Sequence, residues 1–585
     1  MFQLLEDTLH KIGKRSFIIL SIIIVVAALL RIVPQLDKVF VDGAVLFRGV
    51  DPWYHMRLVD VMAVQFPAIL SWDPYAMFPV GAGVGFHPLI AWTVSAAGIV
   101  GLNYEVVGAF LPPVFGGLII IPIFFLTREL FPKSTLIPLV ASLFVAFIPS
   151  ELMHRSLLGF TDNHIIETFL ATCILLFFVL AVKRNWRFFI GAGVSIGLLS
   201  LNWHGTPFIL LIIGIWFLIS FLSKTKRGED TLLLVKIVGF ASLIGFGMML
   251  PLKNLYGMYY TFAVFGLLTI GPWLLQLVKS YWKWSNKSFL IFVLSTIAVI
   301  TAVAHPYIDV KSAFQSVFWS AGTTIGEAMP LSPSVAMSVY GVPIFLMGAG
   351  LVFYLRRNRN TLFTTWTTIL LIAAMCQVRW GYYFIIPVAI LSAYMIALTK
   401  EWVAGHAKVA VVTVLLIFSI IPSIKGIVGV TSLPNNITPQ WYNALVWMRY
   451  NTPEPYGDPN AYYQLSIDNE PTYSVLSWWD YGHWITRIGR RVPLCSPAYQ
   501  EEKGPINFFA STSVEDAHSI LDKNSTRYII YDKDVIAGKF YAIEAKAGKS
   551  VSAKDSIAYR LWFGEVPGIT LVHNEGDVKV FEYEK

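Results

Sequence analysis

Apolar stretches of membrane-crossing length, separated by short loops rich in lysine and arginine, recur from Phe17 to Val428 and constrain this chain more than any other feature. A hydrocarbon core ~30 Å thick takes about 20 apolar helical residues to cross, and a helix is the one single-segment structure that satisfies its own backbone in lipid. With 56% hydrophobic and 14% charged residues over 585 positions, the chain falls outside the ordinary soluble class and reads as a polytopic α-helical membrane protein. The net charge of +8 carries no argument for nucleic acid, because Lys and Arg gather in the cytoplasmic loops of membrane proteins for topological reasons. Cys173 and Cys376 lie in apolar runs and Cys495 stands alone, which suggests neither a disulfide framework nor a thiolate metal site.

Basic loops set the expected topology. Lys11, Lys14 and Arg15 place the N-terminus inside, and the first span, read as uncleaved, delivers residues 34–87 to the outer face. Residues 88–101 are too short to cross and read as external or re-entrant. Arg128, Lys183/Arg184/Arg187, Lys224/Lys226/Arg227, Lys279/Lys283/Lys287, Arg356/Arg357/Arg359 and Lys400/Lys408 all fall inside if the chain makes about thirteen crossings. A long loop over 305–338 then lies outside, as does everything after the last span. The expected units are a multispan domain, 1–432, and an external globular domain, 433–585, entered through Pro434-Asn435-Asn436. The second mixes helix and strand: Ser513 and Asp516 form a capping box for a helix to Leu521, and Arg527 to Tyr531, Ile569 to His573 and Val578 to Tyr583 read as strands, an α+β module.

This topology, built from lysines and arginines alone, sends the unusual acidic groups of the membrane half to one face. Asp51, Asp162 with His164, and Glu327 all come out external, beside the C-terminal domain. Acidic groups near membrane helix ends are functional candidates, although helix capping accounts for many of them. Asp162 and His164, two residues apart, suit a divalent cation if a distant carboxylate such as Asp51 joins them, and the mixed donor set favours Mn²⁺ over an all-oxygen Mg²⁺ or Ca²⁺ site; an N-cap aspartate fits Asp162 equally well. Glu327 ends the polar run Thr324-Ile325-Gly326-Glu327 in the long loop. Arg379 lies at the outer end of an apolar run, where its guanidinium suits either a phosphate or snorkelling to the interface.

In the C-terminal domain, Trp478-Trp479-Asp480-Tyr481-Gly482 combines a flat apolar wall, a carboxylate acceptor and a glycine free to turn sharply. A serine or threonine side chain would fit such a grip; an aromatic core turn is the plainer reading. This pentapeptide resembles the signature of oligosaccharyltransferase catalytic subunits, which glycosylate asparagine in N-x-S/T sequons. The resemblance extends along the chain: Asp51 in Asp51-Pro52-Trp53-Tyr54-His55 is similar to the family's first-loop aspartate, Asp162 and His164 to its archaeal DxD-like pair, Thr324 to Glu327 to its TIxE motif, and Arg379 to the arginine that contacts the lipid phosphate. One motif departs. The family's other sequon-binding helix carries an aspartate three residues before a lysine and an apolar residue four after; Lys539 and Ile543 keep the second spacing, but Ile536 stands where the aspartate belongs.

An archaeal, AglB-like, single-subunit enzyme of GT-C type is the expectation that follows. The resemblance implies transfer of an oligosaccharide from a dolichyl phosphate-linked donor, in the membrane lipid, to an N-x-S/T acceptor polypeptide, with inversion and with Mn²⁺ or Mg²⁺. It implies Asp51 and Glu327 as the groups that orient the acceptor amide, Asp51, Asp162 and His164 as metal ligands, Arg379 as the phosphate contact, and Trp478, Trp479, Asp480, Lys539 and Ile543 as the sequon pocket. The catalytic loops and C-terminal domain are expected outside a cell membrane. The chain's own sequons are Asn286, expected inside, and Asn436 and Asn524, expected outside. A protein O-mannosyltransferase and a transporter are the rival classes; the acids map to helix ends rather than mid-membrane, which disfavours the transporter.

Overall fold

A computed structural model describes residues 13–255, 258–281, 326–357, 360–498, 503–548 and 550–584, with short pieces between 287 and 295. Among the described residues, eight helices are long and apolar enough to cross a membrane: Lys14–Val39, Tyr104–Leu130, Asn163–Lys183, Thr206–Lys226, Leu232–Asn254, Thr261–Tyr281, Val378–Thr399 and Ala407–Ser432. Pro333–Tyr340 and Val342–Arg357, bent by 100° at Gly341, make a ninth if the pair counts as one crossing. Leu136–Phe147 and Thr361–Cys376, apolar stretches counted among the thirteen expected crossings, have only 12 and 16 residues. Leu136–Phe147 is largely buried against other helices, and a helix shielded from lipid need not match the bilayer's thickness, whereas Thr361–Cys376 still exposes Ile372 and Met375. Leu89–Ile99 is likewise short, in keeping with a segment that does not cross. Most of the span expected near 288–304, Asn286, and the loop residues up to 325 lie outside the described residues.

Small residues bring the helices together. A Cβ on Gly193 would lie 2.7 Å from the Ala241 carbonyl oxygen, and one on Gly350 would lie 2.3 Å from that of Leu391, so these two helix pairs pack backbone to backbone.

After Ser432 the chain enters a globular region built on a four-stranded sheet. Ser474–Leu476 runs parallel to Thr526–Asp532, which pairs antiparallel with Val578–Tyr583, itself in a hairpin with Ile569–Glu575. The three longer strands match the sequence expectation. Ser474–Leu476 escaped it because three residues buried on both faces show no alternation. Ser513 caps Val514–Lys523 as expected, its hydroxyl accepting from Asp516 N at 3.2 Å.

The helix Asp51–Gln65 is the joint between the two regions. Arg57 on this helix pairs with Asp73 at 3.1 Å, both fully buried, and donates to the Tyr462 carbonyl at 2.7 Å. One turn on, Asp60 accepts from Tyr462 Oη at 3.0 Å and from Arg487, whose guanidinium also reaches Glu105 at 2.7 Å. The first loop, a membrane helix and the C-terminal region thereby share one buried charge network, which fixes where Asp51 sits relative to the segment after WWDYG.

Candidate functional site

Asp51 opens its helix, with Pro52 behind it, and a carboxylate at a helix N-terminus is favoured by the exposed backbone N–H groups. Its side chain remains 45% accessible. Asp162 is nearly buried and takes two roles at once. Oδ1 caps the helix Asn163–Lys183, accepting from Asn163 N at 2.7 Å, and meets His55 Nε2 at 3.3 Å, while Oδ2 faces His164 Nε2 at 3.3 Å. The capping role and the polar-site role, rivals in the sequence, are therefore compatible.

The electrostatics separate the two aspartates. Although the Asp51 side chain opens to a cleft, the protein packed around it displaces much of its hydration, and this desolvation, followed by the negative charge of Asp162, pushes its carboxyl above the usual carboxylate range. Burial works in the same direction on Asp162, but the His164 and His55 rings beside it outweigh that and hold it below the usual carboxylate range. Among the described residues, no three His, Cys, Asp or Glu side chains converge into a ready metal centre, so the expected Asp51, Asp162 and His164 set is not drawn together. Like charge on two carboxylates, and the contact of His164 with Asp162, account for the open arrangement. The donors themselves fit a hard-to-borderline divalent cation. Oxygen and nitrogen 3.3 Å apart on Asp162 and His164 stand close to the spacing of about 3 Å between neighbouring octahedral donors at ~2.1 Å, and Asp51 is a carboxylate short of positive partners.

Glu327 lies near this cluster but is gripped by two arginines: Oε2 by Arg155, and Oε1 by Arg379 at 3.1 Å. Burial opposes its ionisation, yet the two guanidinium groups hold the carboxyl below its ordinary range. Arg155 also pairs with Glu151 Oε2 at 3.4 Å, so two guanidinium groups are balanced by two carboxylates, and an anion that reaches Arg379 has to compete with Glu327 for it. Among the described residues, the buried Nε of Arg379 has no hydrogen-bond partner. Thr324 and Ile325 lie outside the described residues.

The WWDYG segment forms one wall of a cavity of about 260 Å³, lined by Trp478, Trp479, Asp480, Asp534, Lys539 and Tyr541 among others. Asp480 Oδ2 accepts from Trp478 Nε1 at 3.1 Å and lies 3.6 Å from Lys539 Nζ. Burial raises the Asp480 carboxyl, and Lys539 partly offsets this. Tyr481 turns away from the cavity: it donates to Asp532, accepts from Lys539 Nζ at 2.8 Å, and packs on Trp441 and Trp484. Gly482 is needed for a reason other than a sharp turn. Its φ is an ordinary helical −56°, but an added Cβ would lie 2.4 Å from the Cys495 carbonyl oxygen, so only glycine lets the two backbones meet.

One part of the sequon-helix expectation is corrected, and the missing aspartate is supplied from elsewhere. Ile543 is fully buried in the core, and its neighbours Tyr541 and Ala542 line the cavity instead. The carboxylate beside Lys539 comes from Asp534, whose Oδ2 lies 3.9 Å from Nζ, not from the position of Ile536. A helix break at Ala537-Gly538 folds Asp534 back, and the Lys539 N–H donates to the Asp534 carbonyl at 2.8 Å.

The two halves of the site meet at a residue that sequence reasoning missed. His483, directly after WWDYG, is buried, neither ring nitrogen hydrogen-bonded among the described residues, its Nε2 3.9 Å from Asp51 Oδ1 and its ring 4.7 Å from that of Tyr54. Arg155 was missed as well; its signal was an arginine on the side expected to be external, where the positive-inside rule does not call for one.

The profile described as "Oligosaccharyl transferase STT3, N-terminal" matches residues 21–428, and that of the "AglB core domain" matches residues 438–536. An Archaeoglobus fulgidus protein described as "Dolichyl-phosphooligosaccharide-protein glycotransferase 3" is 27% identical over 90% of this chain and 70% of its own length. A solved structure of archaeal oligosaccharyltransferase AglB from Archaeoglobus fulgidus, in complex with an inhibitory peptide and a dolichol-phosphate, shares the fold with a TM-score of 0.81 at 24% identity, covering 91% of this chain and 71% of that one. An Archaeoglobus fulgidus oligosaccharyltransferase in complex with Zn and sulfate superposes with a TM-score of 0.79 at 25% identity, over 92% of this chain and 70% of that one.

Proposed function

The chain belongs to the oligosaccharyl transferase STT3 family, and from that premise we propose that it moves an oligosaccharide en bloc from a dolichyl phosphate-type carrier to the asparagine of N-x-S/T sequons, inverting the anomeric carbon. The observation that carries this reading is the join at His483: a pocket suited to a Ser/Thr side chain and the carboxylate of Asp51 are separated by three residues of one continuous segment. A sequon needs the same arrangement, with the hydroxyl and the asparagine two residues apart.

Each side chain then has a task. Asp480 accepts the hydroxyl hydrogen of the +2 Ser/Thr, while Trp478 and Trp479 pack against its methyl or methylene group, and Lys539 holds Asp480 in place. Asp51 accepts a hydrogen bond from the acceptor carboxamide N–H₂, which weakens the delocalisation of the nitrogen lone pair and aims it at the anomeric carbon. Glu327 accepts a hydrogen bond from the second amide N–H as Arg379 turns to the donor phosphate, with Arg155 retaining Glu327 in position. Asp51, Asp162 and His164 would hold Mn²⁺ or Mg²⁺, which supplies Lewis acidity toward the leaving phosphate. The chain is a multi-pass membrane protein, and its Lys and Arg distribution supports a cytoplasmic N-terminus, a multispan unit over 1–432 and an extracellular unit over 433–585.

Transfer of glycan from a membrane extract to a fluorescent N-x-T peptide tests the reading. Product is expected in the presence of Mn²⁺, none after EDTA, and none with glutamine in place of asparagine; modification of a peptide lacking asparagine would point to the O-glycosyl class. Asp480→Asn is expected to raise the acceptor KM on the order of 10-fold with little change in kcat, because a charged hydrogen-bond acceptor contributes ~1.5–3 kcal/mol. A fall in kcat at unchanged KM would remove Asp480 from the acceptor pocket.

A further inference from the structure

We propose that Glu167 is the positioning residue that readies His164 to bind the metal, an assignment that rests on the reading of Asp51, Asp162 and His164 as the metal's ligands. Glu167 is the single acid within the helix Asn163–Lys183 and is fully buried. An ionisable group inside an apolar span is costly enough to require a purpose. The helix supplies one: Glu167 lies three residues after His164, on the same face, and its Oε1 stands 3.2 Å from His164 Nδ1. Oε2 accepts from Asn163 Nδ2 at 2.8 Å, and the Asn163 carbonyl in turn accepts from Asn202 Nδ2 at 3.1 Å, so the carboxylate is held at both ends.

A carboxylate accepts but does not donate, so Nδ1 carries the hydrogen. Nε2 lies 3.3 Å from Asp162 Oδ2, so without a metal it too faces a carboxylate; a bound metal would replace the hydrogen there and take the Nε2 lone pair, while Nδ1–H stays on Glu167. The ring of Tyr382, centred 5.1 Å from that of His164, packs against the imidazole and restricts its rotation. Glu167 thus sets both which nitrogen is left for the metal and where it points. Outer partners of metal-bound histidines act this way, and their loss weakens metal binding on the order of 10–100-fold.

The test uses the full chain purified in detergent, with Mn²⁺ as the probe and the free-ion electron paramagnetic resonance signal as the readout, so no turnover is involved. Wild-type protein is expected to take up Mn²⁺ saturably, and Asp162→Ala to abolish that uptake. Glu167→Gln is expected to raise the Kd on the order of 10-fold or more, while Glu167→Gln added to His164→Ala should weaken binding no further than His164→Ala alone. Glu167→Leu, which suits an apolar helix, replaces Glu167→Gln if the latter unfolds early in the metal-free state. Absence of a wild-type site, or one indifferent to Asp162→Ala, overturns the metal assignment itself. A genuine wild-type site with unchanged affinity in the Glu167 variants, or additive losses with His164→Ala, overturns the role of Glu167.

Discussion

Asp51→Asn is expected to lower kcat on the order of 10²–10⁴-fold at saturating Mn²⁺ while the acceptor KM moves by less than about threefold. The substitution keeps the shape of the side chain and its place at the start of the Asp51–Gln65 helix, but an amide is a much weaker acceptor for the protons of an incoming carboxamide. No part of the cavity lined by Trp478, Asp480 and Lys539 comes from the Asp51 helix, so the site for the sequon hydroxyl stays intact. Initial rates at varied peptide and fixed donor separate the two parameters. If the loss falls on KM alone, Asp51 belongs to acceptor binding and the amide-orienting role is wrong. Saturating metal matters to the design, since the same carboxylate is a proposed ligand and its removal also weakens the metal.

The acidic cluster was legible because carboxylates are scarce in so apolar a chain and the basic loops alone sort them to one face. Asp51, Asp162, His164, Glu327 and Arg379 do share a neighbourhood: Asp51 senses the charges of Asp162, His164 and Glu327, and Glu327 is paired with Arg379. What sequence could not convey was how each charge is compensated. Arg155 competes for Glu327, and Glu167 lies inside a run of apolar residues where the hydropathy signal passes over one acid. The lysine-bearing helix shows the limit of spacing arguments, because a break at Gly538 places Asp534, five residues before Lys539, where a regular helix would have brought Ile536. Span counting suffered from a related blindness: the rule for crossing lipid applies to helices that touch lipid, and Leu136–Phe147 is enclosed. Gly482 was placed in the site for a turn it does not make, since close backbone approach leaves no trace in a single sequence.

Arg487→Met is expected to destabilise the folded chain by ~3–5 kcal/mol, more than the removal of a typical core methyl, because it strands a buried carboxylate. Arg487 and Asp60 have side chains only 7% and 9% accessible, and the guanidinium reaches Asp60 through Nε at 3.2 Å and through Nη2 at 3.3 Å. Glu105, the third member, is 35% accessible and regains water when the arginine is lost, so most of the cost falls on Asp60. Among the described residues, Tyr462 Oη would remain its one direct hydrogen-bond donor, at 3.0 Å, too little for a charge in that position. Because the network ties the Asp51 helix to the segment after WWDYG, the loss should appear twice: as a lower unfolding temperature in detergent, and as an acceptor KM that rises while kcat falls. Adding Asp60→Asn removes the stranded charge and should restore roughly half of the lost stability. If Arg487→Met/Asp60→Asn is no more stable than Arg487→Met alone, the cost lies in lost packing of the arginine stem on Phe47 and Trp53, whose rings its guanidinium carbon approaches at 5.5 Å, and not in an uncompensated carboxylate.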